Sequence, residues 1–498
     1  MTDSPLRLVA VDLGAESGRA VVGAFDGERL VLEDVHRFPN VPVTLAGTLH
    51  WDFLRLFGDV TAGLRRAAAG GPVASVGVDT WGVDFGLLDA RGRLLANPVH
   101  YRDRRTEGMP DLAFAIVPRD EIYAATGIQF MPINTLYQLW SMVRAGDPLL
   151  GQADRLLMMA DLFHHFLAGS AVAEYTNAST SQCLDPITRD WARSLLERFG
   201  IPTGILPPVV APGTVLGPVR ADVADETGLR DTRVVAPGSH DTASAVVGAP
   251  LDGPTTAFLS SGTWSLIGLE VPAPVITAVS LAANLTNEGG VGGTVRLLRN
   301  VVGLWLVQES RRALWPAGDA PSYEDLAALA ETAPAFTAFI DPDDERFLRP
   351  GNLPARVRAF CAETGQPVPG DDGTLVRVLL ESLALRYAVA VDELARASGH
   401  SVEAIQVVGG GSNNRLLCRL TASATGLPVR AGPVEATASG NLCVQAIAAG
   451  ELASIAEARE LVARSFPVTT YEPSGDWAEA RARFTDVAAR GLPASTAS

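Results

Sequence analysis

Leu8 to Arg19, LVAVDLGAESGR, and Thr256 to Ser265, TAFLSSGTWS, follow one local plan in different halves of the chain: a hydrophobic strand runs into a glycine turn rich in small hydroxyl residues. Such turns aim backbone N–H groups and short hydroxyls at a single point, which suits phosphate oxygens. One turn of this kind carries little weight. Two, placed to grip one polyphosphate from opposite sides, point to an ATP-dependent phosphotransferase with a cleft between two domains.

The 498 residues exceed what a single core organises, and 47% hydrophobic residues can fill two. Apolar stretches are broken by Gly, Pro or charge before the ~20 residues a membrane span requires. Met1 to Leu13 carries Asp3 and Asp12 rather than a signal-peptide pattern, so no membrane partner and a cytoplasmic location are expected. Cys183, Cys361, Cys418 and Cys443 lack metal-ligand spacing and read as buried, reduced thiols. A net charge of −16 without a basic face argues against nucleic acid. All 40 basic residues are Arg. Without Lys there is no Walker A loop, no protein-kinase strand lysine and no Schiff base. Phosphate charge must then be met by Mg²⁺, backbone N–H groups, hydroxyls and Arg.

Working outward, Leu6 to Leu13, Arg19 to Phe25 and Leu30 to His36 read as three strands. Asp52 caps a helix whose apolar face recurs through Phe53, Leu56, Phe57, Val60 and Leu64. Strands Val73 to Val78 and Val83 to Leu88 follow, and the order suits a mixed sheet with helices packed on it, an α/β fold. In the second half, helices Leu375 to Ser398 and Asn414 to Thr425 flank the strand Ile405 to Val408. Ile201 to Gly217 reads as a loop, and Pro493 to Ser498 should fray. The domain boundary is placed near residue 245, giving 1–245 and 246–498. The strand Arg233 to Ala236 and Gly238-Ser239-His240-Asp241 then stay with the first domain's active edge.

Asp12 ends the first strand beside its turn, where it either caps that turn or holds Mg²⁺ through water. Gly238 to Ser244, GSHDTAS, is the sharpest polar cluster. Its Asp241 can accept a hydroxyl proton as that oxygen attacks a γ-phosphate, or serve as an ordinary helix N-cap. Val407 to Asn414 is a strand ending in three glycines, either a plain turn or bare backbone for a nucleotide. Asp79 to Asp84 and Leu298 to Trp305 each offer an aromatic platform with amide or carboxylate groups. His164-His165 reads as packing, and Arg102 and Asp103 as surface charge or sugar contacts.

Taken together, these segments resemble the FGGY carbohydrate kinases, in order from about Val9 to Tyr471. The likeness is carried by VDLGAESGR, DTWGVDFGLLD, YRDRRT, GIQFMPINTLYQL, EYTNAST, SHDTASAV, LSSGTWSLIG, NEGG, RNVVGLWLVQ, VVGGGSNNRLL and AGPVEATASGN. It implies two ribonuclease-H-like domains of the actin-like ATPase type around a central cleft, the first binding a ketose and the second MgATP, in a monomer or homodimer. The narrower segments imply that the acceptor is the 1-hydroxyl of L-rhamnulose, with L-fuculose or xylulose as the alternative. By the same resemblance, Ala15, Glu16, Ser17, Gly18 and Arg19 form the first phosphate turn and Asp12 is the metal-associated carboxylate. Asp241 is the proton acceptor, and Gly82, His240, Thr242 and Asn300 contact the sugar. Thr263 binds phosphate, while Gln308 and Gly410 contact the nucleotide. Glu16 departs from the family pattern, which has a small polar residue there. An actin-like ATPase that changes shape without modifying a sugar is the contrasting class, and Asp241 within SHDTASA argues against it. A sugar-responsive regulator would need a DNA-binding module, for which a first strand at Leu6 leaves no expected room.

Overall fold

The six-stranded sheet of the first compact unit is organised around the strand Leu6–Leu13, where hydrophobic residues on both faces are buried. The sheet order is Val215–Pro218, Arg233–Val235, Ser75–Thr80, Leu6–Leu13, Ser17–Phe25, Leu30–Pro39. Leu6–Leu13 pairs antiparallel with Ser17–Phe25 and parallel with Ser75–Thr80, so Asp12 stands in register with both Arg19 and Asp79. Ser75–Thr80 is buried along its whole length, as a central parallel strand covered on two faces is, although Ser75, Asp79 and Thr80 are polar. The computed structural model describes residues 5–316 and 318–491, so the tail expected to fray lies outside the described residues.

Two compact units emerge. The first holds residues 1–250, 270–298 and 435–467, and the second 251–269, 299–434 and 468–498. In the first, helix Ala436–Ala448 packs on the central strands. Its Gln445 donates to the Val9 carbonyl at 2.9 Å and accepts from Ser75 Oγ at 2.7 Å. The helix Phe53–Ala69 begins at the expected cap, Asp52, whose side chain accepts from Arg55 N.

The second unit contains the sheet order Trp264–Val271, Thr256–Ser261, Ala404–Val408, Val429–Ala431, Thr469–Tyr471. Thr256–Ser261 is antiparallel to Trp264–Val271 and parallel to Ala404–Val408, the same arrangement as around Leu6–Leu13. Helix Asp372–Ser398 begins at the Asp371 cap and ends at Gly399 in the left-handed region (φ 73°).

Two expectations need correction. The run Val83 to Leu88 is not a strand of the central sheet. Val83 sits at φ 66°, and only Phe85–Leu88 is extended, pairing with Arg155–Met158 in a separate hairpin. Ile201 to Gly217 is not all loop either. Val209–Val210 pairs with Ala173–Glu174, and Val215–Pro218 forms the sheet edge, where Gly217 and Pro218 are tolerated. All four cysteines are buried and unpaired. Among the described residues no helix is long and apolar enough to cross a membrane.

Candidate active site

Asp241 opens the helix Asp241–Val247, following the strand Arg233–Val235. The N-cap is His240, not Asp241, so the capping alternative is set aside and the Asp241 carboxylate remains available. Its neighbour Thr242 donates to Oδ1 at 3.1 Å. Burial pushes the Asp241 carboxyl above its ordinary value; His240 pulls it down and Asp12 pushes it up. A carboxylate raised in this way binds a proton more readily.

The loop before Asp241 is clamped through its backbone. Glu174, fully buried, accepts from Ser239 N at 3.1 Å, Thr176 N at 2.9 Å, Thr176 Oγ1 at 2.6 Å and Asn177 N at 3.1 Å. His240 N donates to Thr176 Oγ1 at 3.2 Å, and the Ser239 carbonyl accepts from Thr80 N at 2.9 Å and Asn177 Nδ2 at 3.1 Å. Burial raises Glu174 to about 7 against these donors.

On the imidazole side, Arg296 Nη2 lies 3.1 Å from His240 Nδ1 and Glu288 Oε2 lies 3.3 Å from it. Nε2 faces Asp241 Oδ1 at 3.5 Å. Glu288 and Arg296 are opposite each other on the paired strands Thr286–Gly289 and Val295–Val302.

Asp12 is paired with Arg19, which donates to Oδ2 from Nε at 3.0 Å and Nη2 at 2.8 Å, and Arg19 also pairs with Glu435. Burial disfavours the guanidinium charge, yet Asp12 and Glu435 hold it protonated. Asp79 is fully buried and pushed well up, first by desolvation and then by Asp12; Asn441 Nδ2 donates to its Oδ2 at 2.5 Å. Asp12 stands beside Asp79 on the paired strand, and Asp241 also acts on Asp79 electrostatically. Carboxylate oxygens are the donors a hard cation such as Mg²⁺ takes. Among the described residues no cluster with ready metal-ligand geometry is formed.

The turn after Leu6–Leu13 closes with Gly14 N donating to the Ser17 carbonyl at 2.9 Å. Ala15 and Glu16 lie in the turn, whereas Ser17, Gly18 and Arg19 already belong to the following strand, with Gly18 opposite Leu13. Asn40 N donates to the Glu16 carbonyl at 2.9 Å and Asn40 Nδ2 to the Gly14 carbonyl at 2.9 Å.

Gly82 is set by close approach, since a Cβ there would meet Thr180 Oγ1 at 2.7 Å. Beside it, the fully buried Asp84 organises an aromatic nest. Its Oδ2 accepts from Trp51 Nε1 at 2.6 Å, Trp81 Nε1 at 3.0 Å and Tyr101 N at 3.2 Å, while Oδ1 accepts from Gln138 Nε2 at 3.0 Å. Trp51 packs against Trp81 with ring centres 4.1 Å apart and stacks on His100 at 3.9 Å. Burial raises Asp84 to about 6, and the indole and amide donors oppose that rise. Removing this acceptor strands two indole N–H groups. Asp84→Ala is expected to destabilise the protein by about 2–6 kcal/mol, at ~1–3 kcal/mol for each of the two orphaned indole groups. Urea unfolding with tryptophan fluorescence measures it; a loss below ~1 kcal/mol would show the indoles are held by packing alone.

In the second unit, Gly262 and Thr263 form the turn after Thr256–Ser261, and their carbonyls accept from Leu304 N at 3.0 Å and Trp305 N at 3.1 Å. These bonds seat the first turn of helix Trp305–Leu314, which carries Gln308. Gln308 Oε1 is buried without a hydrogen-bond partner. Gly409 takes φ 80°, and a Cβ on Gly411 would lie 2.0 Å from Ser261 Oγ, so the glycine run lies tight against that strand. Gly410 faces open space. Asn300 lies near the end of Val295–Val302.

Three other sequence readings meet the structure here. His164 is fully buried, with Nε2 accepting from Val78 N at 3.2 Å, and burial lowers it to about 3, so it is a neutral packing group. Asp103 accepts from Leu49 N at 2.8 Å and from Arg105 N at 2.9 Å, one bond to each oxygen. Arg102 lies over the Tyr101 ring at 5.3 Å. Sequence reasoning singled out neither Asp79, Glu174, Glu288, Arg296, Glu435 nor Asn441 as site residues. All six lie within quoted segments or the strand leading to them, and each acts through a partner distant in sequence.

The sequence matches the N-terminal domain of the FGGY family of carbohydrate kinases over residues 7–248 and the C-terminal domain over 257–449. A rhamnulokinase of Bacteroides thetaiotaomicron is 44% identical over 465 residues, covering 93% of this chain and 95% of that protein. One from Pectobacterium carotovorum is 43% identical over 475 residues, covering 94% and 93%. Among solved structures, gluconate kinase from Lactobacillus acidophilus superposes with a TM-score of 0.80 at 18% identity, covering 98% of this chain and 97% of that one. Xylulose kinase from the same organism gives 0.80 at 18% identity, covering 97% and 96%. These structures share the mixed α/β two-domain fold. With both domains matched in order and near-full-length relatives above the level at which a family is secure, the chain belongs to the FGGY family of carbohydrate kinases.

Proposed function

We propose that the protein transfers the γ-phosphate of ATP to the 1-hydroxyl of L-rhamnulose, giving L-rhamnulose 1-phosphate and ADP. The observation that carries this reading is the likeness to four rhamnulokinases, 41% to 44% identical over at least 93% of the chain. In this mechanism Asp241 takes the proton of the attacking hydroxyl while its oxygen bonds to the γ-phosphorus and the bond to the β,γ-bridging oxygen breaks. Gly82, His240, Thr242 and Asn300 hold the sugar. Thr263 and the turn from Ala15 to Arg19 bind phosphate oxygens, and Gln308 and Gly410 bind the nucleotide. The buried, unpartnered Gln308 Oε1 supports that last role, since a ligand donor would satisfy it. Arg19 contributes by holding Asp12, its side chain being committed to Asp12 and Glu435. Mg²⁺ held through water by Asp12 would spread the phosphate charge in a chain that has no lysine to do so.

Substrate choice is the test. Fixed polar partners such as His240 and Asn300 reject an epimer because a misplaced hydroxyl leaves a buried group unpaired, at ~1–3 kcal/mol apiece. A coupled ADP-release assay over a ketose panel is expected to rank L-rhamnulose above L-fuculose by at least about tenfold in kcat/KM, with glycerol and aldohexoses poorer still. Xylulose or L-fuculose as the best substrate would overturn the rhamnulose reading and leave ketose phosphorylation standing.

A further inference from the structure

Arg296 is the feature that the proposed chemistry does not use. It is fully buried, a rare placement for a guanidinium. Nε donates to the Gly289 carbonyl at 2.8 Å, Nη2 points at His240 Nδ1 at 3.1 Å, and Nη1 is buried without a hydrogen-bond partner. Burial lowers its affinity for the proton, and Glu288, Glu174 and Asp241 oppose that. An arginine left with one unpaired N–H inside a protein is poorly explained by stability alone.

The chemistry of the contact is one-sided. Guanidinium carries five donors and no acceptor, and it does not deprotonate in proteins. Where Nη2 faces an imidazole nitrogen, that nitrogen must offer its lone pair. Glu288 Oε2 also lies near Nδ1, at 3.3 Å, and asks for the opposite: a proton on Nδ1. Arg296 is the nearer of the two and itself lies 3.3 Å from Glu288 Oε2, so the carboxylate is drawn toward the guanidinium. The other groups around the ring are Asp241 and Thr242 on its own helix, and Thr176, which binds the His240 backbone.

We infer that Arg296 is a positioning residue that fixes His240 as the neutral tautomer with its lone pair on Nδ1 and its proton on Nε2, directed to the Asp241 side. The consequence is that His240 presents a donor, never an acceptor, toward the sugar and Asp241, so Arg296 sets the hydrogen bonding of a carboxylate that it does not touch.

The tautomer can be read without substrate, so its outcome is separate from that of the proposed reaction, on which only the rate arm rests. Full-length protein labelled with ¹⁵N-histidine contains seven histidines, and His240 is assigned by its loss in His240→Gln. Long-range ¹H–¹⁵N correlation at neutral pH is expected to show unprotonated Nδ1 and protonated Nε2 for His240. A protonated Nδ1, in either the other tautomer or the imidazolium, overturns the inference. Arg296→Met should move the proton to Nδ1, facing Glu288, and lower kcat about 10- to 100-fold with KM for ATP within about twofold, the scale of impaired acid–base chemistry. Arg296→Lys, which keeps a donor, should recover part of that loss. A folded Arg296→Met with the wild-type tautomer and kcat also overturns it. If Arg296→Met does not fold, the wild-type spectrum alone decides.

Discussion

Asp241→Asn is expected to lower kcat by ~10² to 10⁴ while sugar binding stays within a few-fold, because the amide keeps the shape but cannot accept the hydroxyl proton. Thermal stability should not fall. The native surroundings raise the Asp241 carboxyl through burial and, beyond His240, through Asp12, so its ionised form is a burden to the fold above that raised value. The pH dependence has a definite sign. In the wild type kcat/KM should decline as acid protonates Asp241, starting at a higher pH than an ordinary carboxylate would require. In the variant that limb should vanish from the residual rate. Near-normal turnover with an unchanged pH profile would remove Asp241 from the role of base.

Gly440→Ala is expected to be the most damaging single methyl group in the first unit. A Cβ there would lie 1.8 Å from the Ser244 carbonyl oxygen and 2.8 Å from Gly248 N. Those are backbone atoms of helix Asp241–Val247 and its cap, joined by the Gly248 N to Ser244 O hydrogen bond of 3.0 Å, so neither can turn aside as a side chain would. Gly248 reciprocates, since its Cβ would stand 2.1 Å from the Ala436 carbonyl. The two helices must separate, and overpacking of this kind costs about 3 kcal/mol or more. The same displacement moves Asp241, so kcat should fall along with stability. Gly58→Ala supplies the contrast. Gly58 sits inside helix Phe53–Ala69 with open space around the added carbon, and alanine there should stabilise by about 0.5–1 kcal/mol. Chemical unfolding of both variants against wild type measures the pair, and equal effects would refute the close-packing account.

What could be read from the chain alone was whatever its neighbours in sequence decide. The strand Leu6–Leu13 and the helix start at Asp52 follow from hydrophobic runs and a cap three residues from its partner. Val83 defeated that logic because its left-handed conformation depends on Thr135 and Thr180, which bind its carbonyl and amide from remote segments. The site divides in the same way. Asp241 and the glycine turns stand out locally, since a carboxylate at a strand-to-helix junction needs no distant partner to be noticed. Glu174 reaches residue 239, Asp79 meets Asn441, and Arg296 meets His240, and no local pattern announces such pairings.

The Glu174 clamp has a consequence for how such a protein can change. Its hold on the loop carrying His240 and Asp241 runs through the Ser239 main-chain amide, a group that every residue type but proline possesses. Trp51 and Trp81 are fastened differently, through indole N–H groups that only tryptophan supplies. Substitution can therefore remodel the aromatic nest one side chain at a time while the loop beside it holds its course. The two neighbouring parts are free to evolve at different speeds.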